Sequence, residues 1–376
     1  MAILLPHPHR GLLIAITLLT IVPLSPAQSA QIPSARIKTE NVLLITFDGL
    51  RWQELFGGAD RRLFDREHGG VRNVETLEKR FWVDDAEERR LRLLPFFWSV
   101  VAKQGMVLGD PSVDSSVTVT NGRYFSYPGY NEILTGSADD RIDSNDKRPN
   151  PNVTVLEHLH RRQGFEGRVA AFGSWDVFPF IVNEERSGVY VNAGWKDLQY
   201  AAPRSSLAEL NRLAQEVPHS WAGVRWDLVT FEGALGFLHH RRPRLLYVAF
   251  GETDDWAHDG RYDLYLDSAQ RTDDYIRRLW EAVQTLPDYR DKTTLILSSD
   301  HGRGDDGTSW RSHGTDIEGA EKIWLAVLGP DTPATGIVAG ARATQGQVAA
   351  SVAALLGLDL SEVEPQAAPV LDGLFR

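Results

Sequence analysis

The sequence predicts an α/β fold, a mostly parallel central sheet sandwiched by helices, with inserted cap segments. Three observations predict it. The runs NVLLITF (Asn41 to Phe47), LLYVAF (Leu245 to Phe250) and TTLILSS (Thr293 to Ser299) are continuously apolar or β-branched rather than alternating, the pattern of strands covered on both faces. Amphipathic helical patterns lie between or beside them, as strand–helix alternation requires. Each run is followed closely by an acid, at Asp48, Asp254 and Asp300, at the carboxyl edge where open α/β sheets bind ligands.

In chain order, residues 1–30 read as a secretory signal peptide. Arg10 supplies a basic start, GLLIAITLLTIV (Gly11 to Val22) is uncharged, and Pro23 and Pro26 break the run before the small residues of AQSA. The apolar run is shorter than the roughly 20 residues a membrane span needs, so export with cleavage near Ser29 or Ala30 is expected. Residues 31–376 form a single domain in this reading, with residues 137–240 as a cap insertion. The stretch from Trp52 to about Asp110, rich in Arg and Glu without clear periodicity, reads as a decoration beside the sheet. Residues 137–152 are polar and turn-rich and read as a surface loop. RVAAF from Arg168 and IWLAVLG from Ile323 read as two further strands. Helices are expected over Ser206 to Glu216, opening with a Ser206/Glu209 capping box, over Leu266 to Leu286, and over Gln347 to Leu356, which stops at Gly357.

The composition is ordinary for a globular chain of 376 residues, with 42% hydrophobic and 24% charged residues. Cysteine is absent, which excludes a CxxC metal site, a thiol nucleophile and a lipidated cysteine. Forty Lys and Arg against 51 Asp and Glu give a net charge of −11. Such a chain lacks the overall basic field of a sequence-independent nucleic-acid binder, and no stretch after the leader reaches transmembrane length.

Two of the three acids come with histidines. Asp254 and His258 are four apart in DDWAH, which stacks them on one face of a helical turn. Asp300 and His301 are adjacent in SSDHGRG, and His313 follows in RSHGTD. Carboxylate and imidazole donors without thiolates suit catalytic Zn²⁺ and also Mn²⁺ or Fe²⁺. Six ligands divide into two sites of three, each leaving room for water or substrate. Paired cations of this kind stabilise both the attacking and the leaving oxygen of a phosphoryl displacement.

The segments VLLITFDGLR around Asp48, ETDDWAH around Asp254, SSDHG and the later SHG resemble the metal motifs of the alkaline phosphatase superfamily. The likeness is greatest to its nucleotide pyrophosphatase/phosphodiesterase branch, and the order of motifs agrees over about residues 40 to 330. The resemblance implies a nucleophilic Ser or Thr ahead of an aromatic–Pro pair and a Thr–Gly ending, which FSYPGYNEILTG fits with Ser126. It also implies that Asp48, Asp300, His301 and Ser126 hold one zinc and that Asp254, His258 and His313 hold the other. An Asn some twenty residues beyond the nucleophile contacts phosphate in the family. Asn145 stands there, with Asn150 and Asn152 as competitors. A serine at that place also suits capping of the following helix, and Ser115 and Ser116 are alternative nucleophiles.

The motifs and the resemblance together imply an exported, periplasmic or secreted hydrolase of small phosphate esters that forms a phosphoseryl intermediate. Departures from the family pattern narrow the reaction. The Arg of the sulfatase x-Pro-x-Arg motif is missing after Ser126. The segment Ala171 to Val182, aligned with the Lys-x-Arg pair of related monoesterases, has neither residue. A terminal phosphate needs such cationic partners more than a diester does. Phosphodiester hydrolysis therefore leads, phosphomonoester hydrolysis is the alternative, and sulfatase or non-catalytic metal-dependent binding come behind. Arg51, Arg123 and Arg303 are candidates for the missing charge. Trp175, Phe178 and Phe180 offer either an apolar wall for a leaving group or core packing.

Overall fold

The computed structural model describes residues 37–200 and 204–376, so the expected signal peptide lies outside the described residues. The strands in chain order are β1 (Asn41–Phe47), β2 (Met106–Leu108), β3 (Ser116–Thr118), β4 (Val169–Gly173), β5 (Tyr190–Ala193) and β6 (Leu245–Phe250). They continue with β7 (Thr293–Ser299), β8 (Lys322–Ile323), β9 (Leu325–Leu328), β10 (Gly336–Ile337) and β11 (Arg342–Thr344). Eight form one sheet in the order β10-β2-β9-β7-β1-β6-β4-β5, and β11-β3-β8 form a small second sheet. The five strands from β7 to β5 are parallel. The expected α/β architecture is therefore present, with β1 at its centre.

Alternate residues of each central strand feed two separate cores, as the two-residue period of a strand requires. Leu43, Ile45 and Phe47 pack with the helices Asp227–Arg241 and Tyr262–Thr285, while Val42 and Leu44 face the helices Ser126–Thr135, Val155–His160 and Gln347–Leu355. A strand sandwiched in this way has no polar side, which is why the three runs read as continuous.

Four expectations change. Residues 52–110 are not a decoration: Leu55, Phe81, Phe97 and Trp98 are buried in the first core, and Met106–Leu108 is β2 of the main sheet. Their helices Val74–Phe81 and Ala86–Leu93 have eight residues each, too few to repeat an apolar face. IWLAVLG is split between the two sheets. Trp324 turns between β8 and β9, packing its indole on Phe47 and Phe97 and donating to the Leu50 carbonyl at 3.0 Å. β9 then runs antiparallel to β7. Residues 137–240 include β4 and β5 of the main sheet, so this stretch is in part scaffold. The helix expected from Ser206 begins at Arg204, which puts Ser206 inside it and not at its cap. No described helix is long and apolar enough to cross a membrane.

Candidate active site

Strand register brings the acids together. Phe47 pairs with Ser299 on one side and with Phe250 on the other, so Asp48 and Asp300 leave the sheet side by side and Gly251 leaves beside them. The helix Glu252–His258, capped by Gly251, starts at the next residue and carries Asp254 and His258. The Thr253 hydroxyl donates to the Asp48 carbonyl at 2.6 Å, locking that helix to the end of β1.

Asp48, Asp300 and His301 form one buried cluster. Tyr130 donates to Asp48 Oδ2 at 2.9 Å and the Gly49 amide to Asp300 Oδ1 at 3.0 Å. The other oxygens, Asp48 Oδ1 and Asp300 Oδ2, are buried without a hydrogen-bond partner among the described residues. His301 Nδ1 lies 2.9 Å from the Gly302 carbonyl, which can only accept. That assigns the proton to Nδ1 and leaves a lone pair on Nε2. Nε2 then faces Asp48 Oδ1 at 3.3 Å and Asp300 Oδ2 at 3.4 Å. Three atoms with lone pairs meet there, and with both carboxyls ionised they form a donor set that fits a cation of the zinc class. Burial, then the charge of Asp254, pushes the Asp48 carboxyl well up; burial, then Asp48, does the same to Asp300. A bound cation reverses that cost.

The second cluster is more open. Asp254, His301 and His313 present ligand atoms to one another, and His258 Nε2 lies 3.2 Å from Asp254 Oδ2 and 3.0 Å from His313 Nε2. His313 Nδ1 is held by the Tyr124 carbonyl at 3.2 Å, so its Nε2 is also a lone pair. Burial, then the neighbouring His301, keeps the His313 imidazole well below its usual range and therefore neutral. Burial alone would raise Asp254, but the Arg303 guanidinium and then His258 hold it well below the usual carboxylate range. All six candidate ligands thus lie in one contiguous cluster, with His258 at its exposed end and His301 between the two groups.

Ser126 opens the helix Ser126–Thr135, with its hydroxyl 3.4 Å from His301 Nε2. Gly129 lets this helix approach: a Cβ there would lie 2.3 Å from the Asp300 carbonyl oxygen. Asn145 accepts from the Tyr127 amide at 3.0 Å, so its side chain sits at the N-terminus of the same helix. The competitors are engaged elsewhere, Asn150 with Asn131 and the Ile181 carbonyl, Asn152 with Asn131 and Asp139. Ser115 is buried and accepts from the Gly109 amide, and Ser116 belongs to β3.

Other candidates move. Arg51 is fully buried and paired with Glu54, out of reach of a ligand. Arg303 is buried against Asp254 and the Arg311 carbonyl, so it serves a carboxylate of the cluster. Arg123 is half-buried and makes no ion pair among the described residues. Phe178 is a core residue, edge-on to Tyr130 and Tyr247, and Phe180 packs on the same core, whereas Trp175 stays half-exposed at the end of β4. Tyr130 and Gly129 escaped sequence reasoning, although they stand four and three residues after Ser126, on its helix face.

Comparison with known proteins agrees with this fold. The chain superposes on the alkaline phosphatase PafA with a TM-score of 0.57 at 12% identity, covering 91% of this chain and 99% of that one. It superposes on murine ectonucleotide pyrophosphatase/phosphodiesterase 5, solved as an inactive variant in complex with AMP, with a TM-score of 0.53 at 13% identity, covering 88% and 96%. The phosphonate monoester hydrolase of Agrobacterium radiobacter gives 0.52 at 14% identity, covering 85% and 74%. At these identities the likeness is one of fold. No curated protein sequence matches. The sequence model of type I phosphodiesterase/nucleotide pyrophosphatase matches residues 59–307, a span that includes Ser126, Asp254, His258, Asp300 and His301 and leaves Asp48 and His313 outside. That match covers well over half of the chain, which therefore belongs to the type I phosphodiesterase/nucleotide pyrophosphatase family of phosphoric ester hydrolases.

Proposed function

We propose that the protein is an exported phosphodiesterase with two zinc ions, in which Ser126 attacks phosphorus and carries the phosphoryl group as a phosphoseryl ester. The observation that carries this reading is the convergence of Ser126 Oγ, two orphaned carboxylate oxygens and two imidazole lone pairs at the carboxyl edge of the sheet. Asp48, Asp300, His301 and Ser126 would hold one cation and Asp254, His258 and His313 the other. Bound there, the pair would lower the pKa of the serine hydroxyl and neutralise charge on the phosphoryl and leaving oxygens.

The chain's own residues do the rest. Ser126 lies at a helix N-terminus, where unpaired amides favour an anionic oxygen. Asn145 is fastened to that terminus through its carbonyl oxygen, which leaves its amide nitrogen to contact a phosphate oxygen. Tyr130 fixes the Asp48 carboxylate, and the Gly302 and Tyr124 carbonyls fix the tautomers of His301 and His313. The diester preference rests on the withdrawal of Arg51 and Arg303 into internal ion pairs, which leaves neither of them for a second phosphate charge.

Hydrolysis of bis-p-nitrophenyl phosphate against p-nitrophenyl phosphate by the zinc-loaded protein tests the reading. A diester preference is expected, and Ser126→Ala should lower turnover by at least about 10²-fold, leaving the residual rate that electrostatic stabilisation alone sustains. A monoester preference would keep the centre and overturn the substrate assignment. Full activity in the variant would remove the phosphoseryl step.

A further inference from the structure

Glu132 is buried on the second turn of the serine helix and touches neither candidate cation cluster, yet it gathers a dense set of hydrogen bonds near the site. Its carboxylate accepts from the Thr120 amide at 3.0 and 3.1 Å, the Thr120 hydroxyl at 2.7 Å, the Asn121 amide at 3.0 Å and the Asn121 side-chain amide at 3.1 Å. All these donors belong to the loop that runs from β3 into Ser126. Asn121 passes the constraint on, because its Oδ1 accepts from the amides of Arg123 and Tyr124 at 2.9 and 3.0 Å. Gly122 and Tyr124 are both left-handed, at φ of 66° and 54°. For a tyrosine that conformation is unfavourable and persists only where its surroundings enforce it.

The consequence is felt at His313. The Tyr124 carbonyl, aimed by this turn, holds His313 Nδ1 at 3.2 Å, and the Gly122 carbonyl takes a second bond at 3.3 Å from Thr315 in the same segment. Among the described residues, Tyr124 is the group that assigns the His313 tautomer and bares Nε2.

We infer that Glu132 is a positioning residue that ties the serine helix to His313, so that one buried carboxylate sets the nucleophile and the more open cation site in a common frame. This rests on the two-cation reading for its catalytic meaning, though the link from Glu132 to the His313 tautomer stands without it. Glu132→Gln keeps the shape but turns an amide group toward donors, and Asn121→Ala cuts only the step from the loop to Tyr124.

The test reads His313 first, through the ¹⁵N shifts of its imidazole in the metal-free protein. The wild type should show the Nδ1–H tautomer, and both variants a mixture. Zinc titration comes second: both variants should weaken one of two sites about 10–100-fold, the size of effect usual for an outer-shell partner, and leave the buried Asp48–Asp300–His301 site unchanged. An unaltered tautomer in both variants overturns the inference, as does equal weakening of both sites. If Glu132→Gln does not fold, Asn121→Ala alone decides, by the same tautomer readout. A wild type that binds no zinc would count against the two-cation reading while the tautomer still judged Glu132.

Discussion

Gly129 decides how close the serine helix comes to the sheet. In most helices Gly→Ala stabilises, by up to about 1 kcal/mol. Here the added Cβ would fall 2.3 Å from a backbone oxygen of Asp300, which cannot move without carrying a candidate ligand. Gly129→Ala should therefore destabilise by about 1–3 kcal/mol and cost more in turnover than in folding, as denaturant unfolding and diester hydrolysis on the same samples will show. A stabilised, fully active variant would mean that the helix does not need this approach. At this scale the sequence was legible where a residue's neighbours along the chain define its place. Asp48 and Asp300 follow apolar runs, His258 follows Asp254 by one helical turn, and Ser126 opens a helix. It was not legible where partners are distant, as with Arg51, whose amide and guanidinium meet Tyr265 and Gly304, more than two hundred residues away in sequence.

Among the elements, the helices Asp227–Arg241 and Glu252–His258 cap one another. The Asp227 carboxylate accepts from the amides of Gly251 and Glu252 at 2.8 and 3.2 Å, and Glu252 Oε1 accepts from the Asp227 amide at 2.9 Å. Both N-termini are buried, so each carboxylate answers amides that water cannot reach. Asp227→Ala leaves those amides short of an acceptor, removes the 2.6 Å bond that Ser174 Oγ donates to Asp227, and should cost about 1–3 kcal/mol. It should also weaken zinc binding, because the second helix carries Asp254 and His258. An unchanged unfolding midpoint would remove this account. None of it was visible in sequence, since neither aspartate nor glutamate stands at the capping position of its own helix. The three long apolar strands, by contrast, have the limits expected of them, and Gly357 ends the helix Gln347–Leu355 in a left-handed turn.

For the whole molecule, the cost of its buried acids governs the dependence of stability on pH. Asp273, on the long helix Tyr262–Thr285, accepts from the amides of Phe96 and Phe97 at 2.7 and 2.9 Å. Burial, partly offset by those bonds, raises it from 3.8 to about 7. The native state thus holds this proton more tightly than the unfolded chain. Its contribution to stability is present below about pH 4 and is lost as the pH rises to about 7, by up to about 4 kcal/mol. Urea unfolding from about pH 4 to about pH 8 should show that fall in the wild type and a shallower one in Asp273→Asn; parallel curves would assign the pH dependence to other groups. The same tertiary packing made residues 52–110 part of the core and residues 137–240 part of the sheet.

By itself the sequence determined the α/β class, the centre of the sheet and the identity of the acids and histidines at its carboxyl edge. Those come from local pattern, because a doubly covered strand must be apolar throughout and the acids follow directly on the strand ends. The tertiary structure alone decided which carboxylate oxygens lack partners, which arginines are spent internally, and how Glu132, Asn121 and Tyr124 reach His313. These depend on contacts between segments far apart in the chain, and no local periodicity encodes the distance at which such segments meet.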